Sequence, residues 1–276
     1  LTAETKNLRR GLIGGTTMTA IAGVNPWTSA ADAYLELTGQ IADGKGNDST
    51  DAGQLLEPAV LNWLERETGA TLLRDQFLYE VGGPFCGNLD AVCLDGPEPF
   101  LAEAKTTGIC GGPPDPGFGE AGTDEVPTRV IVQCQHYFGV AERARPDWPK
   151  FRYALVPVLI GGVGFVRYRV NRHDGLVNDL RDLGQAFHRN AKLGIPPEGT
   201  PSLEVLKRVR RHPQSVAEVS RQAFEAWVIA ASAVKDIGAE VRRLEKLRDA
   251  AACRLLAEMG QAEGAAVDGR LELTYY

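Results

Sequence analysis

The chain has 276 residues, a formal net charge of −6 and a hydrophobic fraction of 43%. That length suits one large domain or a domain with an appendage, with apolar content enough for a sizeable core. The charge excludes a surface coated in nucleic-acid-binding charge, though not a local basic groove or a site built from carboxylates, and no apolar run is long enough to span a membrane.

Residues 8–39 open with Arg9-Arg10 and a Gly-rich stretch. Gly14-Gly15 permit close backbone approach, and Thr16 or Thr17 is the expected N-cap of a short helix through Ala22. Asn25-Pro26 breaks it, and a second helix runs from Ser29 through Leu37 to a stop at Gly39. Arg9 and Thr16 also have plain readings, a solvated arginine and an ordinary cap. Residues 40–52 are polar and read as a loop. Leu56, Val60, Leu61 and Leu64 recur at helical spacing between Gly53 and Gly69. Glu57 falls near the start of that helix, with Pro58 in its first turn. A carboxylate turned inward there is costly unless paired or metal-bound; turned outward it simply suits the helix dipole. Residues 71–81 read as a strand.

The stretch Cys86–Thr107 is the centre of the chain. It reads as two strands, Leu89–Leu94 and Phe100–Ala104, joined by the turn Asp95-Gly96-Pro97. Alternation puts Glu103 and Lys105 on one face, with Asp90 beside them on the partner strand. Two carboxylates and an amine then converge. Hard cations such as Mg²⁺ take oxygen ligands, and an ammonium can hold a phosphate or steady its developing charge. An acid followed by Glu-x-Lys is common by chance, so the pattern depends on its flanks.

Residues 108–125 are Gly-, Pro- and acid-rich and read as a flexible loop, a lid or flap. Pro127 opens a helix with an apolar face at Val130, Ile131, Cys134, Tyr137 and Phe138. Gln133 and Tyr137 share one face of it, and Gln135 and Gly139 another. Strands are expected over 151–160 and 164–170, then a closing helix over 174–193. This order predicts an α/β (α+β) core, a central mixed sheet flanked by helices. Residues 207–212 form a basic patch, read as a solvated charge run. Residues 215–259 keep three- and four-residue apolar spacing, as one long helix or a hairpin bent near Gly238. That stripe reads as packing surface for assembly or DNA grip. The expected division is 1–200 for the core and 201–276 for a helical extension. The five cysteines show no zinc spacing, so buried free thiols in a reducing cytoplasm are the simplest account. No basic-then-apolar leader opens the chain, and Leu1 in first place points to a trimmed initiator Met.

Five blocks in order carry a family resemblance: Arg9…Gly-Gly-Thr16, Gly53-x-x-x-Glu57, Gly87-Asn88-Leu-Asp90, Glu103-Ala104-Lys105 and Gln133-x-x-x-Tyr137. The chain resembles the phage lambda exonuclease and YqaJ-type viral recombinases of the PD-(D/E)XK nuclease superfamily, from about residue 9 to about residue 200. The resemblance implies a restriction-endonuclease-like core and Mg²⁺-dependent cleavage of one strand of linear duplex DNA from the 5′ end. The 3′ single-stranded tails left behind serve phage-type recombination. Glu57, Asp90 and Glu103 are the implied metal ligands, with the Ala104 carbonyl, for two Mg²⁺ ions that Mn²⁺ can replace. Lys105 is the implied catalytic lysine. Gln133 orients the scissile end, backed by Tyr137, with Gln135 and Asn88 in support. Arg9, Thr16 and Lys105 grip the 5′-phosphate. The implied partners are double-stranded DNA ends, further copies in a ring such as a trimer, and a single-strand annealing protein, in the cytoplasm of a bacterial or phage-infected cell.

Two positions depart from the family pattern: Leu89 stands where proline often precedes the aspartate, and Thr17 where an acid often follows the hydroxyl residue. The four clustered cysteines that hold an iron–sulfur cluster in some related nucleases are absent. The alternatives are an endonuclease on the same fold and a catalytically silent DNA-end-binding protein.

Overall fold

A computed structural model describes residues 8–41, 48–95, 97–109, 113–209, 219–259, 264–267 and 270–274. The chain divides into two compact units, Leu1–Arg211 and His212–Tyr276, against the boundary at 201 expected from composition.

The first unit begins with two short helices, α1 (Gly15–Ile21) and α2 (Ala30–Leu37). Ser29 and Asp32 close a reciprocal capping box at the start of α2. The cap expected at Thr16 or Thr17 is instead Gly14, with no side-chain cap bond. The next helix, α3, runs over Asp48–Thr68 and so begins earlier than the apolar pattern predicts. Its first turns are polar and carry no periodic signal. Glu57 therefore sits mid-helix rather than near the start, and Pro58 is interior. Pro58 has no N–H to give the carbonyl of Gln54, four residues back.

Six strands follow: β1 (Leu73–Tyr79), β2 (Cys86–Cys93), β3 (Phe100–Ala102), β4 (Lys105–Thr107), β5 (Tyr153–Ile160) and β6 (Gly164–Asn171). The pairs β1–β2 and β2–β3 are antiparallel, as the predicted hairpin requires. The predicted strand 100–104 is broken, however. β3 and β4 both pair parallel with β5, and the register carries through: Leu101 faces Ala154 and Lys105 faces Val158. Glu103 and Ala104 interrupt one continuous line. β6 closes the far side of β5 antiparallel. β5 is an apolar run because it is covered on both faces.

Two cores sandwich the sheet. On one face Leu61 and Leu64 of α3 pack on Ala91, Phe100, Ala102 and Leu155. On the other, Ile13, Met18, Phe85 and Val156 pack with Val130 and Phe138 of α4 (Thr128–Ala144) and Val177 of α5 (Asp174–Lys192). A short helix, α6 (Leu203–Lys207), ends the described part of this unit. The loop over 113–125 is fastened rather than loose. Gly122 donates to the Arg167 carbonyl, Arg169 donates to the Thr123 carbonyl, and Tyr168 Oη donates to the Gly119 carbonyl.

The second unit holds one unbroken helix, α7 (Arg221–Met259), through Gly238, and a hairpin of β7 (Gly264–Val267) and β8 (Arg270–Thr274). The predicted helix start near 215 and residues 210–212 of the basic patch lie outside the described residues. The stripe Trp227, Val234, Ile237, Val241 and Leu244 is exposed along α7.

A buried ion pair ties α5 to the end of β1. Both guanidinium ends of Arg181 on α5 reach Glu80, at 2.6 and 2.8 Å, and Glu80 is 7% exposed. Removing the cation alone leaves a buried anion unpaired. Arg181→Ala should therefore lower unfolding stability by about 3 kcal/mol or more; urea denaturation of both proteins measures it, and a loss well under about 1 kcal/mol would contradict the pairing.

Candidate active site

The break between β3 and β4 gathers the charged groups that the two-strand signature singles out. Ala104 N–H donates to Asp90 Oδ2 at 2.8 Å, so the kink is held by the aspartate on the neighbouring strand. Lys105 Nζ pairs with Glu103 Oε1. α3 passes alongside and adds Glu57. Glu57, Asp90, Glu103, Ala104 and Lys105 line one open cavity with Thr50, Gly53, Gln54, Val60 and Thr106.

The cavity is electrostatically crowded. Burial, and then the charge of Glu103, push the Asp90 carboxyl well above its ordinary value. Burial raises Glu103 too, against the opposing pull of Lys105. Glu57 is raised by burial and by Asp75 and Glu103. Burial works against the charge on Lys105, yet Glu103 and Asp90 hold its ammonium above the usual lysine range. Three carboxylates thus share the Lys105 ammonium.

Among the described residues, one buried side-chain atom has no hydrogen-bond partner. Glu103 Oε2 is buried without a hydrogen-bond partner, and an unpaired buried carboxylate oxygen is costly. Among the described residues, no three His, Cys, Asp or Glu side chains form a ready-made ion cage. The donors are nevertheless all hard oxygens, and one lacks any partner. That set fits a divalent cation such as Mg²⁺ or Mn²⁺, which also accepts carbonyl and water oxygens.

A second group of predicted residues meets around Gly14-Gly15. A Cβ on Gly15 would fall 2.7 Å from Tyr137 Oη and 2.9 Å from Gln133 Cγ, so only glycine allows α4 this close. Gln133 Nε2 donates to Tyr137 Oη at 2.9 Å, as their shared helix face predicts. The Arg9 guanidinium lies over Gly14 beside Cys86: a Cβ on Gly14 would be 3.6 Å from both Arg9 Nη2 and Cys86 Sγ. Thr16 is exposed on the first turn of α1. Burial drives the Tyr137 hydroxyl far above the usual tyrosine range, with Glu103 adding to the shift.

Two expected supports stand elsewhere. Gln135 is buried and clamps α4 to the start of α5: its Nε2 donates to the Asn171 carbonyl at 2.8 Å, and its Oε1 accepts from His173 N–H at 2.9 Å. Asn88 pairs with Phe77 in the β1–β2 ladder and does not line the cavity. The sequence reading passed over Asp75, which sits in β1 at a φ of 55° and bears electrostatically on Glu57. It also passed over His136, which bonds the Cys86 carbonyl at 2.9 Å and is lowered by burial to about 4, a neutral brace. Neither position carries a local signal in the sequence.

Fold and cavity together define an α/β domain whose strand break carries an acidic, lysine-bearing pocket. The chain belongs to the YqaJ-like viral recombinase family, whose sequence model matches residues 5–144. It is similar to the protein YqaJ of Bacillus subtilis strain 168, 30% identical over 189 residues, which are 67% of this chain and 55% of that protein. The chain thus spans about half the length of the curated relative it matches. The fold is similar to that of an alkaline exonuclease from Laribacter hongkongensis, LHK-Exo, crystallised with dAMP. That likeness has a TM-score of 0.51 at 17% identity and covers 75% of this chain and 97% of the other. A phage-related exonuclease from Haemophilus somnus is also similar, with a TM-score of 0.48 at 14% identity, covering 68% and 96%. No described helix is long and apolar enough to cross a membrane.

A carboxyl that holds its proton more tightly in the fold stabilises it at low pH, and that contribution is lost as pH rises through the folded pKa. Asp90 and Glu103 are both raised, so the protein without added cation should lose stability from the ordinary carboxylate range upward. A cation held by these oxygens offsets the loss by mass action. Melting-temperature scans in EDTA and in Mg²⁺ should show a larger Mg²⁺ gain at pH 8 than at pH 5; an equal gain, or none, would count against the cavity as a cation site.

Proposed function

We propose that this chain is a metal-dependent DNA exonuclease that degrades one strand of linear duplex from its 5′ end and leaves 3′ tails for recombination. The observation that carries this reading is the cavity at the strand break, where Glu57, Asp90, Glu103 and Lys105 meet and a buried oxygen of Glu103 is unpaired. Membership of the recombinase family supports a nuclease role in recombination.

Asp90, Glu103 and Glu57 would hold one or two Mg²⁺ ions, with the Ala104 carbonyl beside Asp90. Bound there, the cation would supply Lewis-acid stabilisation of the phosphate and a more acidic water. Lys105, fixed by its ion pair to Glu103, orients the attacking water and meets growing charge on the phosphate. Gln133, held by Tyr137, steers the strand end toward the cavity. Arg9 over Gly14 offers a forked donor pair to a terminal phosphate, with the exposed hydroxyl of Thr16 beside it. An acidic protein binds DNA in this way when cations line the path of the backbone.

The direct test incubates the protein with linear and nicked-circular plasmid in Mg²⁺ or EDTA. Loss of linear DNA alone, only in Mg²⁺, is expected; cutting of the circle would mark an endonuclease, and no cutting a silent DNA-end-binding protein. Asp90→Asn and Glu103→Gln each remove a charged oxygen donor at nearly constant shape. Each should cut digestion by about a thousandfold, since several kcal/mol of charge stabilisation is at stake, with melting temperature kept. Near-normal turnover by either variant in saturating Mg²⁺ would sink the site assignment.

End selection has its own test. A charge-assisted bond of this kind is worth about 1.5–3 kcal/mol. Arg9→Ala should therefore slow digestion of 5′-phosphorylated duplex about ten- to a hundredfold and of 5′-hydroxyl duplex little. Equal slowing on both substrates would remove Arg9 from phosphate recognition.

A further inference from the structure

Trp27 is 71% exposed. Leaving so much indole in water contributes nothing to folding, yet the loop around it is tightly built. Asn25 Oδ1 accepts from the N–H groups of Trp27 and Thr28, at 2.9 and 3.0 Å. Asn25 Nδ2 in turn donates to Thr19 Oγ1 at 3.0 Å, and the N–H groups of Val24 and Asn25 bond the Thr19 carbonyl. The ring is thus presented from α1 on a braced turn.

One ring face is backed by a cation. The Arg129 guanidinium carbon lies 4.9 Å from the ring centroid. Arg129 is paired with Asp115, whose N–H donates to Thr107 Oγ1 at 2.7 Å. Thr107 adjoins Thr106, which lines the carboxylate cavity. Arg129 also lies one turn before Gln133 on α4, on the same helix face. Trp27 therefore stands a few contacts from both parts of the site.

We infer that Trp27, backed by Arg129, is a stacking platform for an unpaired base of the DNA strand that runs past the carboxylate cavity. This rests on the nuclease reading above and adds to it a contact with bases rather than phosphates. Base–aromatic stacking tolerates any sequence because every base has a π-face, and a cation beside the ring strengthens it. An enzyme that consumes a strand residue by residue needs that tolerance.

The test measures binding in EDTA, so that nothing is cut. Wild type, Trp27→Ala and Trp27→Phe are titrated with a labelled oligothymidylate and with an abasic strand of the same length. Wild type and Trp27→Phe should prefer the base-bearing strand by about five- to a hundredfold, the range expected for one stacked base. Trp27→Ala should lose that preference and bind the abasic strand as before. A full preference kept by Trp27→Ala, or none in wild type, overturns the platform. So does a changed particle mass in Trp27→Ala with DNA preference intact, which would make Trp27 a protein contact. The plasmid assay reports on the nuclease reading independently: wild type that binds bases through Trp27 but never cuts would sink that reading and keep the platform.

Discussion

The structure depends on a charge imbalance at one break in the sheet. Asp90, Glu103 and Glu57 face one cavity, with Lys105 as the ammonium among them. Burying like charges together is unfavourable unless they hold protons or share cations. The fold accepts this cost beside β5, whose residues are apolar and paired on both sides. β5 anchors both halves of the broken strand in one register, so the kink at Glu103-Ala104 is local. Asp90 then fixes it by accepting from the Ala104 N–H. The same carboxylates that strain the fold by repulsion thereby shape the cavity.

The second constraint is steric. α4 must approach α1 closely enough to bring Gln133 and Tyr137 to the Gly14-Gly15 turn, and the space there admits no Cβ at Gly15. Behind this contact lie braces with no chemistry of their own. His136 bonds the Cys86 carbonyl, Gln135 spans to Asn171 and His173, and Glu80 meets Arg181. His136 and Gln135 hold α4 at a set height over the sheet, while Glu80 and Arg181 join α5 to the end of β1. The loop over 113–125 contributes in the same way through Asp115 and Arg129.

The second unit has a different character. α7 exposes an apolar stripe over many turns, whereas the first unit buries its own. A helix of this kind gains stability mainly from what it packs against rather than from propensity.

The sequence by itself determined the elements with strong periodic or turn signals and the identity of the ionisable set. Leu61 and Leu64 at helical spacing and the apolar run of β5 were legible because each reflects local burial. The order of Glu57, Asp90, Glu103 and Lys105 could be read with them. Where signals are weak the structure differs: the polar first turns of α3 hide its start, and α1 is capped at Gly14 rather than at a threonine. Gln135, a support of the site on the family resemblance, instead clamps α4 to the start of α5, a task that only its packed partners decide. The break at Glu103, the unpaired oxygen, the ring of Trp27 over Arg129 and the brace between Glu80 and Arg181 all join residues far apart in the chain. Those contacts arise only when the sheet closes and the helices settle on it, so tertiary structure alone decided them.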